Sequence, residues 1–441
     1  MKKLLQVLLF FCLHTEYALA SGVDLTYCID MALQENSEIK KARAEFLALK
    51  EFEDQSLANL LPSVGLSVSR SKVNQERSDG TGLSLEQNYT MESDAISVRQ
   101  PVYRPKLMRD LKKIKKEVLA EKLLLSNKED SLKMKVAEAY FKLLRAYAEE
   151  LLQEKRINLL NEQKKAAIKS IEAGRGTITE LAEVNAASDK ASADLIRVRQ
   201  NIRLEVNELQ FYIGETITKV KTLKSDINNF DFLKQNSIST WEENAVANNF
   251  ELQSKKEKIM AAKLALSSEK LNRYPTVDLN VQLARGSSES TFFVDSETRS
   301  NSVGLTFFLP LYQGGSINSK IRQSASQLEA EVEGLKFKEE DLRKRVQKTY
   351  FGMLESIDLH SALKSAIESA TIELEATKKS TVAGVRKQLD VLVSQQKALS
   401  VEREFIDAKL NIILYWLNLN MLASNLNQST IKTANDFLLP N

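Results

Sequence analysis

The sequence contains one pattern of residues twice, and the second copy follows the first after about 210 residues. The matching pairs, in chain order, are Asn36 and Asn249, Pro101 and Pro310, Tyr140 and Tyr350, and Gly174 and Gly384. A nearly constant offset over most of the chain indicates two copies of one structural unit. We therefore expect an internal duplication, and the repeated architecture constrains the fold more than any single motif does.

Residues 1–20 have the features of a signal peptide. Lys2 and Lys3 precede a short apolar run, Leu4–Leu13, and Ala18–Ala20 fits a cleavage site. The apolar run is about half as long as a membrane-spanning helix. We therefore expect residues 1–20 to be removed and the mature chain to be exported.

Composition argues against several classes of function. The 62 basic residues are balanced by 59 acidic residues, which is not the basic surface typical of nucleic-acid-binding proteins. The mature chain keeps one cysteine, Cys28, and one histidine, His360, so we predict neither a disulfide nor a Cys/His metal cluster, and no cofactor. We predict that Cys28 is a small apolar residue on a helix face and that His360 has no catalytic role, because no nucleophile lies near it in sequence.

The chain is predicted to consist mostly of long helices, because it contains only 14 Gly and 6 Pro. Helical periodicity covers residues 25–59, 106–172, 177–213, 316–383 and 386–422, with Gly334 and Gly352 interrupting the fourth stretch. The longest would reach on the order of 100 Å as one helix. A predicted coiled-coil seam consists of Val136, Tyr140, Leu143, Tyr147 and Leu151. Residues 173–176 and 383–386 are predicted helical hairpin tips, with Gly as the left-handed cap.

Two predicted β-hairpins, residues 63–101 and 275–310, alternate apolar and polar side chains. Each of the four predicted strands is amphipathic and about ten residues long, which is the length of a tilted membrane-spanning strand. We expect loops at Arg77–Gln87 and Gly286–Ser300, facing the outside of the cell, and a wet pore wall at Asp278, Asn280 and Gln282. One strand alone fits a soluble hairpin equally well, but four on an exported chain favour an outer-membrane barrel.

Four strands cannot close a barrel by themselves, and open sheet edges are not viable in lipid. The strands must therefore pair with those of other copies. Three chains would supply twelve strands, enough to leave a lumen. We accordingly predict a homotrimer in contact with outer-membrane lipid.

The segments Leu61–Val64, Gln100–Tyr103 and Pro310–Gly315, and two glycine tips each followed six residues later by an acid, resemble the TolC family of outer-membrane efflux and secretion ducts. The resemblance covers essentially the whole mature chain. It implies a mixed membrane α+β fold, a trimeric 12-strand β-barrel continued by a long α-helical coiled-coil tunnel through the periplasm. It also implies a passive duct without enzymatic activity, gated at its periplasmic entrance, that docks on a periplasmic adaptor protein and an inner-membrane pump.

The expected division follows the duplication. Residues 1–20 are the signal peptide, 21–213 the first repeat, 214–240 an equatorial linker, 241–422 the second repeat and 423–441 an equatorial tail. Each repeat holds one helix, one β-hairpin and one long helical hairpin.

The resemblance also assigns candidate residues at the entrance. Asp390 matches the acid that lines it, Arg386 the basic residue that tethers the inner helices, and Glu180 the acidic partner of that tether, with Glu183 a lesser candidate. Spacing alone would favour a solvated helix acid for Asp390. The family often has a second acid at the position of Val393. The expected adaptor-docking tips are Gly174, Arg175, Gly176, Gly384 and Val385.

Two other functions fit the sequence less well. An exported coiled-coil scaffold without a pore would have soluble hairpins and would not depend on detergent. An exported hydrolase is poorly supported, because the chain has neither a Gly-x-Ser-x-Gly motif nor a partnered histidine.

Overall fold

The computed structural model describes residues 22–78, 80, 82, 84–174, 176–217, 219–224, 230, 233, 236–290 and 293–438, so the predicted signal peptide lies outside the described residues. The helices of the first repeat are α1 (Leu25–Glu35), α2 (Ser37–Ala58), α3 (Pro105–Glu172) and α4 (Ile178–Ile213). Those that follow are α5 (Ile238–Asn248), α6 (Phe250–Lys270), α7 (Ser316–Val382), α8 (Gln388–Leu422) and α9 (Gln428–Asn435). The strands are β1 (Ser63–Ser78), β2 (Ser84–Tyr103), β3 (Thr276–Ser290) and β4 (Phe293–Phe308).

The predicted single helix over residues 25–59 is wrong, because Asn36 divides it into α1 and α2. The backbone of Asn36 is extended, and its Oδ1 atom accepts hydrogen bonds from the N–H groups of Glu38 at 2.9 Å and Ile39 at 3.4 Å. Asn249 separates α5 from α6, and its Oδ1 atom accepts the N–H of Leu252 at 3.1 Å. Each asparagine therefore ends one helix and caps the next.

The strands are longer than predicted. They have 16, 20, 15 and 16 residues, and the described residues of the predicted loop Gly286–Ser300 all belong to strands. In the predicted loop Arg77–Gln87, Gly80 and Gly82 are the described residues outside strands. The ladder continues after the apolar alternation stops, since backbone pairing does not require apolar side chains.

The four strands form one antiparallel sheet in the order β1-β2-β3-β4. Each strand pairs with its neighbours in sequence, so β1 and β4 are the two edges. The apolar side chains of both edge strands, Val64, Leu66, Val303 and Leu305 among them, are exposed. The sheet of one chain therefore has two open edges and an uncovered apolar face.

The long helices have the bounds that periodicity predicts, and α7 continues through Gly334 and Gly352 without interruption. A Cβ atom on Gly352 would lie 2.8 Å from the ring of Tyr415, so α7 approaches α8 closely there because the position has no side chain. None of the described helices combines the length and apolar character required to cross a membrane.

The coiled-coil seam of α3 was predicted correctly at its start and wrongly at its end. Val136, Tyr140 and Leu143 are fully buried, but Leu151 is exposed and Leu152 is buried in its place. A straight α-helix has 3.6 residues per turn, so an apolar stripe drifts around the helix relative to a seven-residue repeat.

The chain forms two compact units. The sheet unit contains Ala44–Leu123 and Gln253–Phe337, and the helical unit contains the described residues of Met1–Arg43, Leu124–Leu252 and Lys338–Asn441. In the helical unit, backbone bridges join Val23 to Val220 and Leu223 to Leu438. Residues of the linker and the tail therefore pair with each other, and Cys28 is buried in this unit as an apolar residue.

Candidate functional site

The first helical hairpin tip requires glycine at two positions. Gly174 ends α3 in the left-handed conformation, at φ +70°, and its N–H donates to the carbonyl oxygen of Ile171 at 2.9 Å. The N–H of Gly176 donates to the carbonyl oxygen of Ser170 at 2.9 Å, and a Cβ atom there would lie 2.9 Å from the nitrogen of Ile171. Arg175, the remaining predicted docking residue of this tip, lies outside the described residues.

The second tip has the same backbone design with one difference. Gly384, at φ +76°, donates to the carbonyl oxygen of Thr381 at 3.0 Å, and Val385 donates to that of Ser380 at 2.9 Å. These are the two hydrogen bonds of a Schellman motif. The N–H of Arg386 also donates to the carbonyl oxygen of Ser380, at 3.3 Å. The equivalent bond in the first tip, from Gly176 to Ser170, is shorter, and the difference is that Arg386 carries a side chain where the first tip has glycine.

Both predicted gate acids cap the helices that they begin. Glu180 accepts the N–H of Thr177 at 3.2 Å, and the Thr177 hydroxyl oxygen accepts the N–H of Glu180 at 3.2 Å, which is a capping box. Asp390 accepts the N–H of Lys387 at 3.1 Å. The Thr-x-x-Glu pattern is a sequence signal for this arrangement, whereas the two acids were predicted from spacing and family resemblance alone.

The structure does not bring Arg386 and Glu180 together within one chain. The Arg386 side chain is exposed, and it makes no hydrogen bond or ion pair within the described part of the chain. Glu183 is also exposed, on the first turns of α4. A tether between Arg386 and an acid of the first tip therefore requires a second copy of the chain or another conformation.

Exposed apolar side chains surround the second tip, and of these only Val385 was predicted from the sequence as a docking residue. The side chains of Val382, Val385, Leu389 and Val393 are between 49% and 91% exposed. Val391, Ser394 and Gln395 are buried on the opposite face of α8. The orientation of α8 is thus fixed by its packing, and the apolar set near the tip faces away from its own chain.

Polar contacts connect the four long helices of the helical unit in the order α4-α3-α8-α7. Arg199 of α4 pairs with Glu150 of α3 at 2.9 Å, and Gln163 of α3 donates to Gln395 of α8 at 2.7 Å. The contact from α8 to α7 joins Lys397 to Glu373 at 2.7 Å. Gln163 precedes the tip Gly174 by as many residues as Gln395 follows the tip Gly384, so the two tips lie at one level.

In the sheet unit, Asp278 differs from its prediction as a wet pore-wall residue. It is buried between two arginines: Arg99 Nη2 lies 2.8 Å from its Oδ2 atom and Arg104 Nε lies 2.8 Å from its Oδ1 atom. A second nitrogen of Arg104 also contacts this carboxylate. No local sequence pattern indicates this cluster, because both arginines are far from Asp278 in the chain.

The described residues do not contain a group of His, Cys, Asp or Glu side chains that could hold a metal ion. His360 is buried against aromatic rings: it stacks on Phe405 with 4.5 Å between ring centroids and meets the edge of Phe230 at 5.2 Å. This environment is that of a core residue.

The chain matches known proteins over nearly its whole length. The outer membrane efflux protein family matches residues 28–215 and 241–424, which together contain both repeats. The chain is 24% identical to the proteases secretion protein PrtF of Dickeya chrysanthemi, over 96% of this chain and 92% of that protein. It is also 24% identical to the outer membrane protein TolC of Escherichia coli K12, over 99% and 90% of the two chains.

Solved structures share the fold at low sequence identity. The structure of CusC superimposes with a TM-score of 0.80 at 14% identity, covering 91% of this chain and 92% of that one. The outer membrane protein VceC of Vibrio cholerae gives 0.77 at 17% identity, covering 91% and 97%. With the family match over both repeats, these likenesses confirm the predicted family and the mixed fold of a four-stranded sheet and long helices. The chain belongs to the outer membrane efflux protein family, whose members are outer-membrane channels that extend into the periplasm and are not enzymes.

Proposed function

We propose that three copies of this chain close into a passive duct that carries substrates from an inner-membrane pump across the periplasm and the outer membrane, in efflux or type I secretion. The observation that carries the proposal is the four-stranded sheet with two open edges and an exposed apolar face. Open edges cannot exist in lipid, so β4 of one copy must pair with β1 of the next. Three copies supply the twelve strands of a barrel with a lumen.

Two helices of the helical unit, α4 and α7, supply a second pair of surfaces for contact between copies. Exposed apolar side chains, 47–76% accessible, form a stripe on α4 and another on α7. The α4 stripe consists of Ile196, Leu204 and Phe211, and the α7 stripe consists of Phe351, Leu359 and Ile372. These are the two end helices in the order of polar contacts given above, so each stripe is available to a neighbouring copy.

The side chains of the two stripes lie at alternating heights along the helices. Consider a ring of copies whose axis is parallel to the helices. A residue of α4 and a residue of α7 lie at the same height along that axis when each is the same number of residues from the glycine of its own hairpin tip. Ordered by that distance, the six side chains alternate between the helices: Ile372, Ile196, Leu359, Leu204, Phe351 and Phe211. Such alternation lets side chains of one helix fill the spaces between those of the other, as in other antiparallel helix pairs.

The entrance of the duct lies at the hairpin tips. The carboxylates of Asp390 from three copies form a ring there, each oriented by its own bond to the N–H of Lys387. Arg386, exposed and without a side-chain partner among the described residues, bonds an acid of the neighbouring copy's first tip, with Glu180 the first candidate and Glu183 the second. Removing this tether opens the entrance.

The partners of the duct are a periplasmic adaptor protein and an inner-membrane pump. The tips, with Gly174, Arg175, Gly176, Gly384 and Val385, are the docking surface. Support comes from the exposed apolar side chains around the second tip, Val382 and Val385 above all, since a set of this kind is typical of contact surfaces. The relatives named for the secretion of proteases and for the outer membrane support a role in export.

The proposal is tested by incorporating the purified protein into planar lipid bilayers. We expect discrete, stable channel steps that require no energy source. Incorporation without any conductance step, together with a protein that stays soluble without detergent, would favour a scaffold and refute the duct.

A further inference from the structure

The strand register gathers the apolar side chains of the sheet into continuous rows. Val64, Val98, Val281 and Val303 lie directly opposite one another across all four strands. The next row towards the hairpin turns contains Leu66, Ile96 and Leu283 on the same face. The β4 member of the second row is the polar Asn301. The apolar side chains on the edge strands are exposed in the single chain and those of Val98 and Val281 are half-buried. In the proposed duct these rows form the surface that meets lipid.

The apolar rows end abruptly at charged residues on the same face. In the next row Asp94, Arg285 and Arg299 lie opposite one another, with Val68 as the β1 member, and in the row after it Arg70 lies opposite Glu92. We name the set of Arg70, Glu92, Asp94, Arg285, Glu297 and Arg299 the charged belt. Two residues along a strand return to the same face, so the belt continues the lipid-facing surface.

Ion pairs connect the charged belt across the sheet. Arg70 bonds Asp94 at 2.7 Å and Glu92 at 3.3 Å, so two carboxylates neutralise this cation. Arg285 and Arg299 share a single carboxylate, that of Glu297, at 2.7 and 2.9 Å. The β1–β2 side of the belt is therefore rich in negative charge, and the β3–β4 side has two guanidinium groups for one bonded carboxylate.

The sheet continues well past the belt. Spanning a bilayer takes roughly ten residues of a tilted strand, whereas β2 has 20 residues. Beyond the belt, the lipid-facing positions of β1 are Lys72, Asn74 and Glu76, and those of β2 are Thr90, Asn88 and Glu86. No apolar row returns among the described residues of these two strands on this face.

We propose that the charged belt lies at the level of the lipid headgroups on the outer side of the membrane, that the sheet beyond it stands in the aqueous medium, and that Arg285 and Arg299 bind phosphate-bearing headgroups. Charged side chains are unfavourable against hydrocarbon and become tolerable at the interface, which places the belt at a boundary. A guanidinium group presents paired donors that match phosphate oxygens, and the cation excess on the β3–β4 side favours an anionic partner. This inference rests on the outer-membrane location and is independent of the gate.

The boundary is tested with two single cysteines on the same face of β1, Leu66→Cys in the apolar rows and Lys72→Cys on the other side of Arg70. Both side chains are exposed in the single chain, and the native Cys28 is buried. Intact cells are treated with a membrane-impermeant maleimide. We expect Lys72→Cys to label at least about tenfold more than Leu66→Cys, because apolar lipid covers the latter. After unfolding in SDS both should label equally.

Two outcomes would overturn this placement. Equal labelling in intact cells would mean that the apolar rows are not in lipid. Labelling of Lys72→Cys only after the outer membrane is breached would mean that the belt faces the periplasm. Either result leaves the channel conductance of the wild-type protein as a separate test of the duct.

The headgroup contact is tested by thermal unfolding in micelles of an uncharged, phosphate-free maltoside detergent with and without phosphatidylglycerol. The anionic lipid should raise the melting temperature of the wild-type protein and of Arg70→Gln, whose cation is already neutralised by two carboxylates. The double variant Arg285→Gln/Arg299→Gln should lose most of that rise. An undiminished rise in the double variant would refute binding by this pair.

Discussion

Glu180 and Asp390 occupy equivalent positions in the two repeats and make the same hydrogen bond, each to the backbone N–H three residues before it. Each acid is thus the third residue of its helix and satisfies a donor that the helix itself leaves unpaired. The carboxylates at the tips are therefore oriented by local backbone geometry in each single chain, before any assembly of copies. Their charge and their capping role can be separated by substitution.

The Thr177–Glu180 capping box should hold the start of α4. Thr177→Ala removes one of its two hydrogen bonds and should cost about 1 kcal/mol locally. Amide hydrogen exchange in the first turn of α4 should become roughly fivefold faster, because opening becomes easier by that free energy. Ser365→Ala, at an exposed position inside α7, is the control and should leave exchange in α4 unchanged. Unchanged exchange in Thr177→Ala would contradict the capping role.

The charge of Asp390 should govern the response of the channel to cations. Asp390→Asn keeps an oxygen that can accept the Lys387 N–H but removes the charge, whereas Asp390→Ala removes both. In planar bilayers both variants should show weaker block by multivalent cations added on the periplasmic side. Only Asp390→Ala should also speed amide exchange at the start of α8, because only this variant loses the hydrogen bond to the Lys387 N–H, which contributes about 0.5 kcal/mol. Wild-type block in both variants would exclude a carboxylate ring at this position.

Arg386 should hold the entrance closed by a bond to a neighbouring copy. Arg386→Ser should raise single-channel conductance, because the tether between tips is lost while the backbone of the tip is kept. Lys387→Ser removes the same charge from the adjacent residue and should leave conductance close to wild type. Equal increases in both variants would indicate an effect of tip charge in general and would argue against a specific tether.

The apolar stripes of α4 and α7 should meet between copies. Leu204 and Phe351 lie about 5 Å apart in level, so Leu204→Cys/Phe351→Cys should give disulfide-linked oligomers on oxidation. Leu204→Cys/Ile372→Cys places the cysteines about 27 Å apart in level and should not. Burial, followed by the nearby charge of Asp24, raises the pKa of the native Cys28 to about 12, so this thiol does not compete. Cross-linking of the second pair alone would contradict the proposed register.

His360 should make the helical unit less stable in mild acid. Burial, followed by the charges of Lys409 and Lys364, holds the pKa of His360 below its usual value. The unfolded chain, with a His pKa of about 6.5, therefore binds this proton more readily than the folded chain does. The contribution of His360 to stability is complete above about pH 6.5 and falls as the pH drops below it. His360→Phe should show a smaller drop in melting temperature between pH 7 and pH 5; an identical drop would contradict this account.

Sequence patterns predicted the long-range order of the fold because the duplication, the helical periods and the glycine tips are local and repeated. The bounds of α3 and α7 follow from the near absence of Gly and Pro, and the left-handed Gly174 and Gly384 were predicted from their positions alone. The break at Asn36 was missed because apolar periodicity passes through it, although an asparagine before Glu38 is a capping signal.

Other features depend on contacts that no local pattern encodes. Asp278 is buried because Arg99 and Arg104 bind it from β2 and the segment after it, so its polarity alone suggested the wrong environment. The strands were predicted too short, because the alternation of apolar and polar side chains indicates which residues face an apolar environment and does not show where backbone pairing ends. For the candidate entrance, spacing and family resemblance located the residues, but the capping role of Glu180 and Asp390 became evident only from the backbone geometry.

The closure of three copies into one duct is tested most directly by the mass of the purified protein in detergent, after subtraction of the bound detergent. The open edges of β1 and β4 and the paired stripes of α4 and α7 predict a stable particle of three chains. A stable monomer in mild detergent that still carries the folded sheet would contradict the proposed duct.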